Sequence, residues 1–272
     1  MKITNKLNLP KIFVDIVESE YTYKENRYSV TELLNGIREI NLTRKHYEEL
    51  TQDVADMSNL IFGSAVHKLF ELADKENAEV KLEAKVGNKV LSGQFDKLDS
   101  YTLIDYKTAK VYKIKKEDFE DWRKQGLMYA WLCKQNGILV DRIKFIVLLK
   151  DWSLRSGLES GIYVYEFKVT TLDLIDIEDW IKERLLLVDT DTPCTTEERW
   201  RTDDKWAVMK EGGKRAIKVY DNEKDAQESL KDGLYVEYRP GDDVKCDNYC
   251  KVNMYCEYYR GRKRIMEVLN NG

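Results

Sequence analysis

No stretch of this 272-residue chain approaches the roughly 20 consecutive apolar residues a membrane-spanning helix requires. The opening MKITNKLNLPKIF also lacks the continuous apolar segment of a secretion signal. The expectation is therefore a cytoplasmic protein without a membrane partner. Cysteine is scarce, at five residues, which excludes a disulfide-stapled scaffold, and thiols that cluster in a reducing compartment are read first as metal or cluster ligands. Positive charge is not in excess: 45 Lys and Arg face 49 Asp and Glu, for a net charge of -4. That balance removes the simplest picture of a nucleic-acid binder, a protein basic overall. Internal repeats and low-complexity linkers are missing too. What remains is 43% hydrophobic and 35% charged, the composition of a chain that folds. Its length suits one α/β domain carrying an inserted or appended unit.

Local patterns divide the chain. Ser29 or Thr31 precedes an apolar-periodic stretch with early acidic residues, so residues from about 28 to 50 read as a capped helix and a second helical segment, in a helical N-terminal region. Helical spacing from Ser58 to Ala73 places His67 and Glu71 on one face. From Val80 to Lys107 the period shortens to alternation, giving three antiparallel strands punctuated at Gly87-Asn88 and Asp99-Ser100. A helix is predicted from Lys116 to Asn136, then two strands (IKFIVLLKDW and GIYVYEFKV) and a helix over about 172–188. Beyond Cys194, the run from Lys205 to Gly241 reads as strand, turn at Gly212-Gly213, strand, short helix and strand. The boundaries that follow are a core with helical N-terminal region over 1–195, a small inserted α+β unit over 196–243, and a cysteine-bearing tail with a basic helix over 244–272.

The segment GQFDKLDSYTLIDYKTAK carries the chemistry. Residues two apart on a strand share a face, so Asp105 and Lys107 project together while Tyr106 points away, and the preceding hairpin brings Asp96 beside them. Carboxylates hold a hard divalent cation such as magnesium, which polarises a phosphoryl group and acidifies a bound water. A lysine there orients the attacking water and stabilises the charge that develops. Alone, D-x-K on a strand is ordinary surface charge. Its company here is GSAVHKLFE upstream and QGLMYAWL downstream. Together, Gly63, His67 and Glu71, then Gly93, Asp96, Asp105, Tyr106, Lys107 and Thr108, then Gln125 and Tyr129 resemble the RecB-like branch of the PD-(D/E)XK nucleases.

That resemblance implies a restriction-endonuclease-like α/β (α+β) fold with a mixed central sheet flanked by helices. It implies Mg2+ or Mn2+ held by His67, Asp96, Asp105 and the backbone carbonyl of Tyr106. Lys107 is then the catalytic lysine, and Gln125 and Tyr129 shape the site or contact substrate. Glu71 is expected to pair on the surface with Lys68 or Lys75. The implied function is a metal-dependent DNA exonuclease of phage type acting in recombination or genome processing, in the host cytoplasm if the gene is viral. The alternatives are a CRISPR-associated DNA-trimming nuclease and a non-catalytic DNA-binding module with a vestigial site. DNA is the implied partner, with a homo-oligomer or a recombination or replication protein beside it.

Cys194, Cys246, Cys250 and Cys256 form a set of four thiols with no histidine nearby, which suits tetrahedral zinc or an iron-sulfur cluster. Resemblance to the AddB-type and CRISPR-associated relatives favours a 4Fe-4S cluster, although those relatives place the lone cysteine before the nuclease motifs and often use C-x2-C. Cys133, in an apolar helix, is expected in the core. Basic runs at Lys107, Lys110, Lys113, Lys115 and Lys116 and at Arg260, Arg262, Lys263 and Arg264 either track phosphates or lie solvated. Trp122, Tyr129 and Trp131 could stack bases, but helical spacing assigns them to the core.

Overall fold

The N-terminal region, expected to be helical, opens instead on a strand. In the computed structural model, which describes residues 1–18, 23–73 and 78–271, the first elements are β1 (Lys2–Thr4), α1 (Lys11–Val17), β2 (Arg27–Ser29), α2 (Val30–Leu33), α3 (Ile37–Lys45), β3 (Thr51–Asp53) and α4 (Ser58–Ala73). β1 and β3 pair in parallel, and the buried Asp53 carboxylate fastens them by accepting from Thr4 Oγ1 at 2.7 Å and the Lys6 amide at 2.9 Å. These strands are three residues long, too short for alternation to register as a pattern. Ser29 caps α2 as read, in a reciprocal box with Glu32.

The central sheet is built from β2, β4 (Ala78–Val86), β5 (Lys89–Asp99), β6 (Thr102–Ala109), β7 (Arg142–Leu149) and β8 (Ile162–Lys168). Its order is β2-β5-β6-β7-β8, with β4 also on β5. β4, β5 and β6 form the expected antiparallel meander, while β6 and β7 run parallel. A parallel pair needs a long crossover, which α5 (Val111–Lys115) and α6 (Glu120–Gln135) supply. The helix predicted from Lys116 therefore starts later, because Glu117 takes a left-handed backbone (φ 52°) between the two. α7 (Thr171–Leu187) begins at a capping box of Thr170 and Asp173. The sheet is thus mixed and flanked by helices, an α/β architecture.

The core lies between α6 and the sheet. Met128, Leu132 and Cys133 of α6 are buried with Leu91, Phe95, Leu103, Ile143 and Phe145 of the strands. α6 approaches β7 so closely that a Cβ on Gly126 would lie 2.9 Å from Ile143 Cγ2. β7 alternates buried and half-buried along its length, as a strand with one covered face does.

Contacts divide the chain into two compact units, Met1–Thr192 and Pro193–Gly272. The second contains β9 (Lys205–Lys210), β10 (Lys218–Tyr220), α8 (Glu223–Glu228), β11 (Leu234–Arg239), α9 (Val244–Asn248) and α10 (Glu257–Asn271), with the strands in antiparallel order β10-β9-β11. At its heart Asp243 is fully buried, bound by Arg199 at 3.1 Å and by the Tyr258 hydroxyl at 2.7 Å. The α10 residues Arg262 and Lys263 pair with Asp247 at 2.5 and 3.1 Å, so half of that basic run is structural rather than free to follow phosphates.

Candidate active site

At Asp96 the strands β5 and β6 part. Their ladder runs only from Asp99↔Thr102 to Lys97↔Ile104, and beyond it the Tyr106 amide donates to Asp96 Oδ2 at 2.7 Å instead of to a strand carbonyl. The side chain thereby satisfies a backbone group the divergence leaves open. The other oxygen, Oδ1, accepts from His67 Nδ1 on α4 at 2.7 Å. His67 is placed by its helix, which is held to the sheet three residues on, where Phe70 stacks on Tyr106 with ring centroids 4.0 Å apart and planes 8° from parallel. Tyr106 does point away from Asp105 and Lys107, and this stack is its use.

Asp105 is almost wholly buried, at 3% exposure. Lys107 Nζ lies 2.6 Å from Asp105 Oδ2, but off the direction of a hydrogen bond, so this oxygen has a charge partner and no directed donor. The Lys107 ammonium donates instead to Gln125 Oε1 at 2.8 Å, and Gln125 Nε2 donates to the Tyr129 hydroxyl at 2.9 Å. Gln125 and Tyr129, one turn apart on α6, are both buried. Gly93 lets them sit there, since a Cβ on it would come 2.9 Å from the Tyr129 ring and 2.8 Å from Leu132. The structure thus gathers the expected residues into two polar chains at one place, His67, Asp96 and the Tyr106 amide in one and Asp105, Lys107, Gln125 and Tyr129 in the other.

Electrostatics follow from burial. Desolvation raises the Asp105 pKa, against the opposing pull of Lys107. His67 is raised by its bond to Asp96, partly offset by burial, so its imidazole keeps a proton more firmly than a free histidine. Burial and the nearby Asp105 charge push the Tyr129 phenol up, which keeps it a neutral hydroxyl. Among the described residues no three His, Cys, Asp or Glu side chains form a ready-made metal cage; His67 and Lys107 lie against the two carboxylates instead. The donor set still suits a hard divalent ion: two carboxylates, one imidazole and a buried oxygen of Asp105 without a directed donor.

Residues outside this network resolve otherwise. Glu71 is bound by Lys68 at 2.7 Å, the surface pairing expected for it, while Lys75 lies outside the described residues. Trp122, Tyr129 and Trp131 are 3–6% exposed, which places them in the core and closes them to base stacking. Lys113 pairs with Asp121 at 2.9 Å and covers the Trp122 ring. In the second unit, burial pushes the Cys246 thiol up to about 12, with Asp243, Cys250 and Cys194 adding to the rise; these cysteines too form no metal cage among the described residues. Cys256 immediately precedes α10 in the same unit. Cys133 is buried in α6 as expected, its thiol raised to about 11 by desolvation. Phe70 was not singled out by the sequence; an aromatic on an apolar helix carries no signal of its own.

Residues 197–233 match a family described as an uncharacterized protein conserved in bacteria, DUF2188. No curated protein matches the chain. Among solved structures, SSO0001 aligns over 70% of this chain and 88% of its own at 20% identity, with a TM-score of 0.49. The alkaline exonuclease LHK-Exo from Laribacter hongkongensis aligns over 61% of this chain and 89% of its own at 10% identity and a TM-score of 0.36. A phage-related exonuclease from Haemophilus somnus covers 57% of this chain and 70% of its own at 12% identity and a TM-score of 0.29. No helix among the described residues is long and apolar enough to cross a membrane.

Proposed function

We propose that the first unit is a divalent-metal-dependent nuclease of the RecB-like PD-(D/E)XK type, acting as an exonuclease on DNA in recombination or genome processing. The observation that supports this reading most is the convergence of two short polar chains, His67 with Asp96 and Asp105 with Lys107, Gln125 and Tyr129, at the point where β5 leaves β6. Mg2+ or Mn2+ held by Asp96, Asp105, His67 and the Tyr106 carbonyl would supply Lewis acidity and an acidified water. Asp96 also fixes the imidazole through Nδ1 and leaves Nε2 as the ring's ligand atom. Lys107, aimed by Gln125, is placed to orient the attacking water and to stabilise charge that grows on the phosphate. The neutral Tyr129 hydroxyl accepts from the Gln125 amide, which fixes the amide orientation that presents its oxygen to Lys107.

Cys194, Cys246, Cys250 and Cys256 would be the ligands of an iron-sulfur cluster, with zinc as the alternative, because four thiolates suit both. The role of such a group is to fasten the segments of the second unit together.

The nuclease reading is tested by degradation of end-labelled linear DNA in Mg2+ or Mn2+ and in chelator. The wild type is expected to cut only with metal, and Lys107→Ala to lose at least roughly 100-fold in rate. A Lys107→Ala variant as fast as the wild type, or cutting that survives chelation, sinks the assignment.

A further inference from the structure

In the second unit two tight turns meet at one end of the three-stranded sheet. The first closes where the Gly213 amide donates to the Lys210 carbonyl at 2.8 Å, with Gly212 in a left-handed backbone (φ 70°). The second closes where the Leu234 amide donates to the Lys231 carbonyl at 3.0 Å, with Gly233 left-handed (φ 77°). Glycine takes such a backbone without steric cost, which is why both turns carry it. β9 and β11 pair Lys210 with Leu234, and the Glu211 amide donates to the Gly233 carbonyl at 3.3 Å. The two turns therefore lie side by side.

This register gathers Lys210, Lys214 and Arg215 from one segment with Lys231 from another, a grouping that neither basic run of the sequence contains. All four are exposed, and none forms an ion pair among the described residues. Glu211 and Asp232 are the acids of the same turns, so four cations face two carboxylates in a chain whose net charge is -4. The opposite end of the sheet is arranged differently. There Lys205 pairs with Asp221 at 2.5 Å, Arg239 with Glu237 at 2.6 Å, and the Tyr238 hydroxyl donates to Asp204 at 2.8 Å. One end of a single sheet thus spends its charges internally, and the other leaves its cations to a partner of opposite sign.

We infer that this end of the second unit is an anchor for the phosphodiester backbone of DNA, built on a unit that holds none of the proposed catalytic residues. The inference rests on the nuclease reading, which makes DNA the polyanion this chain meets. Three lysines supply point charges and Arg215 a planar fork, and both kinds of group bind phosphate. Contacts of this type hold the protein on DNA without reading its sequence. Single and double strands offer the same backbone chemistry, and the two arms of the experiment distinguish them.

Binding of a fluorescent oligonucleotide, single-stranded or annealed to its complement, is measured over a range of salt in the Asp105→Asn background, where the DNA survives. The full chain carries Lys210→Gln, Lys214→Gln, Arg215→Gln and Lys231→Gln together, or a control set of Lys2→Gln, Lys85→Gln, Lys134→Gln and Lys168→Gln that removes the same charge from the first unit. All eight residues are exposed, and thermal melts verify that each set folds. The turn set is expected to weaken binding at least roughly tenfold near 0.1 M salt and to lower the slope of log affinity against log salt by about two, with the control set leaving the slope unchanged. Loss on the duplex alone assigns the anchor to double-stranded DNA, loss on the single strand alone to single-stranded DNA, and equal loss to either form. Equal slopes for the two sets overturn the anchor, as does a parent protein that binds no DNA. Weaker retention on heparin with DNA affinity unchanged assigns the cluster to another polyanion and overturns it as well. A wild type that binds DNA through these residues yet never cuts it overturns the nuclease reading alone.

Discussion

In the proposed nuclease Lys107 acts only while something holds its ammonium in place, and the holder is a side chain chosen by its neighbours. Gln125 can present its oxygen to the lysine because its amide nitrogen is committed to Tyr129, and Tyr129 keeps its place because Gly93 contributes no side chain against its ring. Gly93→Ala is therefore expected to act at a distance. The added methyl forces the Tyr129 and Leu132 side chains aside, destabilising the fold by about 1–3 kcal/mol, and the rate of DNA cleavage falls further than the loss of folded protein explains. Thermal melts and cleavage rates on the same sample check both halves; an unchanged rate in folded protein contradicts the role given to Tyr129. At this scale the sequence was most legible. His67, Asp96, Asp105 and Lys107 stand in a spaced pattern whose chemical types announce a use. Phe70 was illegible because its partner, Tyr106, is distant in sequence and a phenylalanine in an apolar helix is unremarkable.

Elements were readable in proportion to their length. The meander β4–β6 and the helices α4 and α7 came from alternation and helical spacing, whereas β1, β2 and β3 have three residues each and exist because the sheet and the Asp53 carboxylate recruit them. The helix predicted from Lys116 failed at its start because a left-handed Glu117 separates two helices whose side chains share one apolar pattern. α7 shows how an element's end sets a pH dependence. Burial alone would raise the Asp173 pKa, but Thr170 and Arg123 bind the carboxylate and leave it below its ordinary value. A lowered pKa in the folded state gives stability that is complete above the unfolded value of about 3.9 and is lost as pH falls through the folded one. Asp173→Ala should cost about 1 kcal/mol at neutral pH, and its difference from the wild type in denaturant melts should shrink below about pH 4. A difference that grows in acid contradicts this origin.

For the whole molecule, net charge gave little guidance, because placement decides more than the sum. Lys24, Arg27 and Lys81 line a cavity together with Tyr129, while Arg262 and Lys263, half of a basic run conspicuous in the sequence, are consumed by Asp247 within the second unit. The inserted strands and the cysteine-bearing tail, separable in sequence, occur in one compact unit, since contacts between residues far apart in sequence leave no local periodicity. If the four thiols hold a metal group there, Cys250→Ala removes iron or zinc from the purified protein and lowers its melting temperature, because binding energy at such a site is folding energy. Metal analysis with a melt checks this, and a variant that retains its melting temperature rejects it.

The most direct test concerns Asp105, the most deeply buried acid of the network. Cleavage of end-labelled linear DNA in Mn2+ is compared for the wild type and Asp105→Asn, at protein concentrations matched for folded material. Metal-dependent cutting by the wild type and none by the variant is the expected result. Equal cutting by the two proteins would show that the chemistry, whatever it is, lies elsewhere.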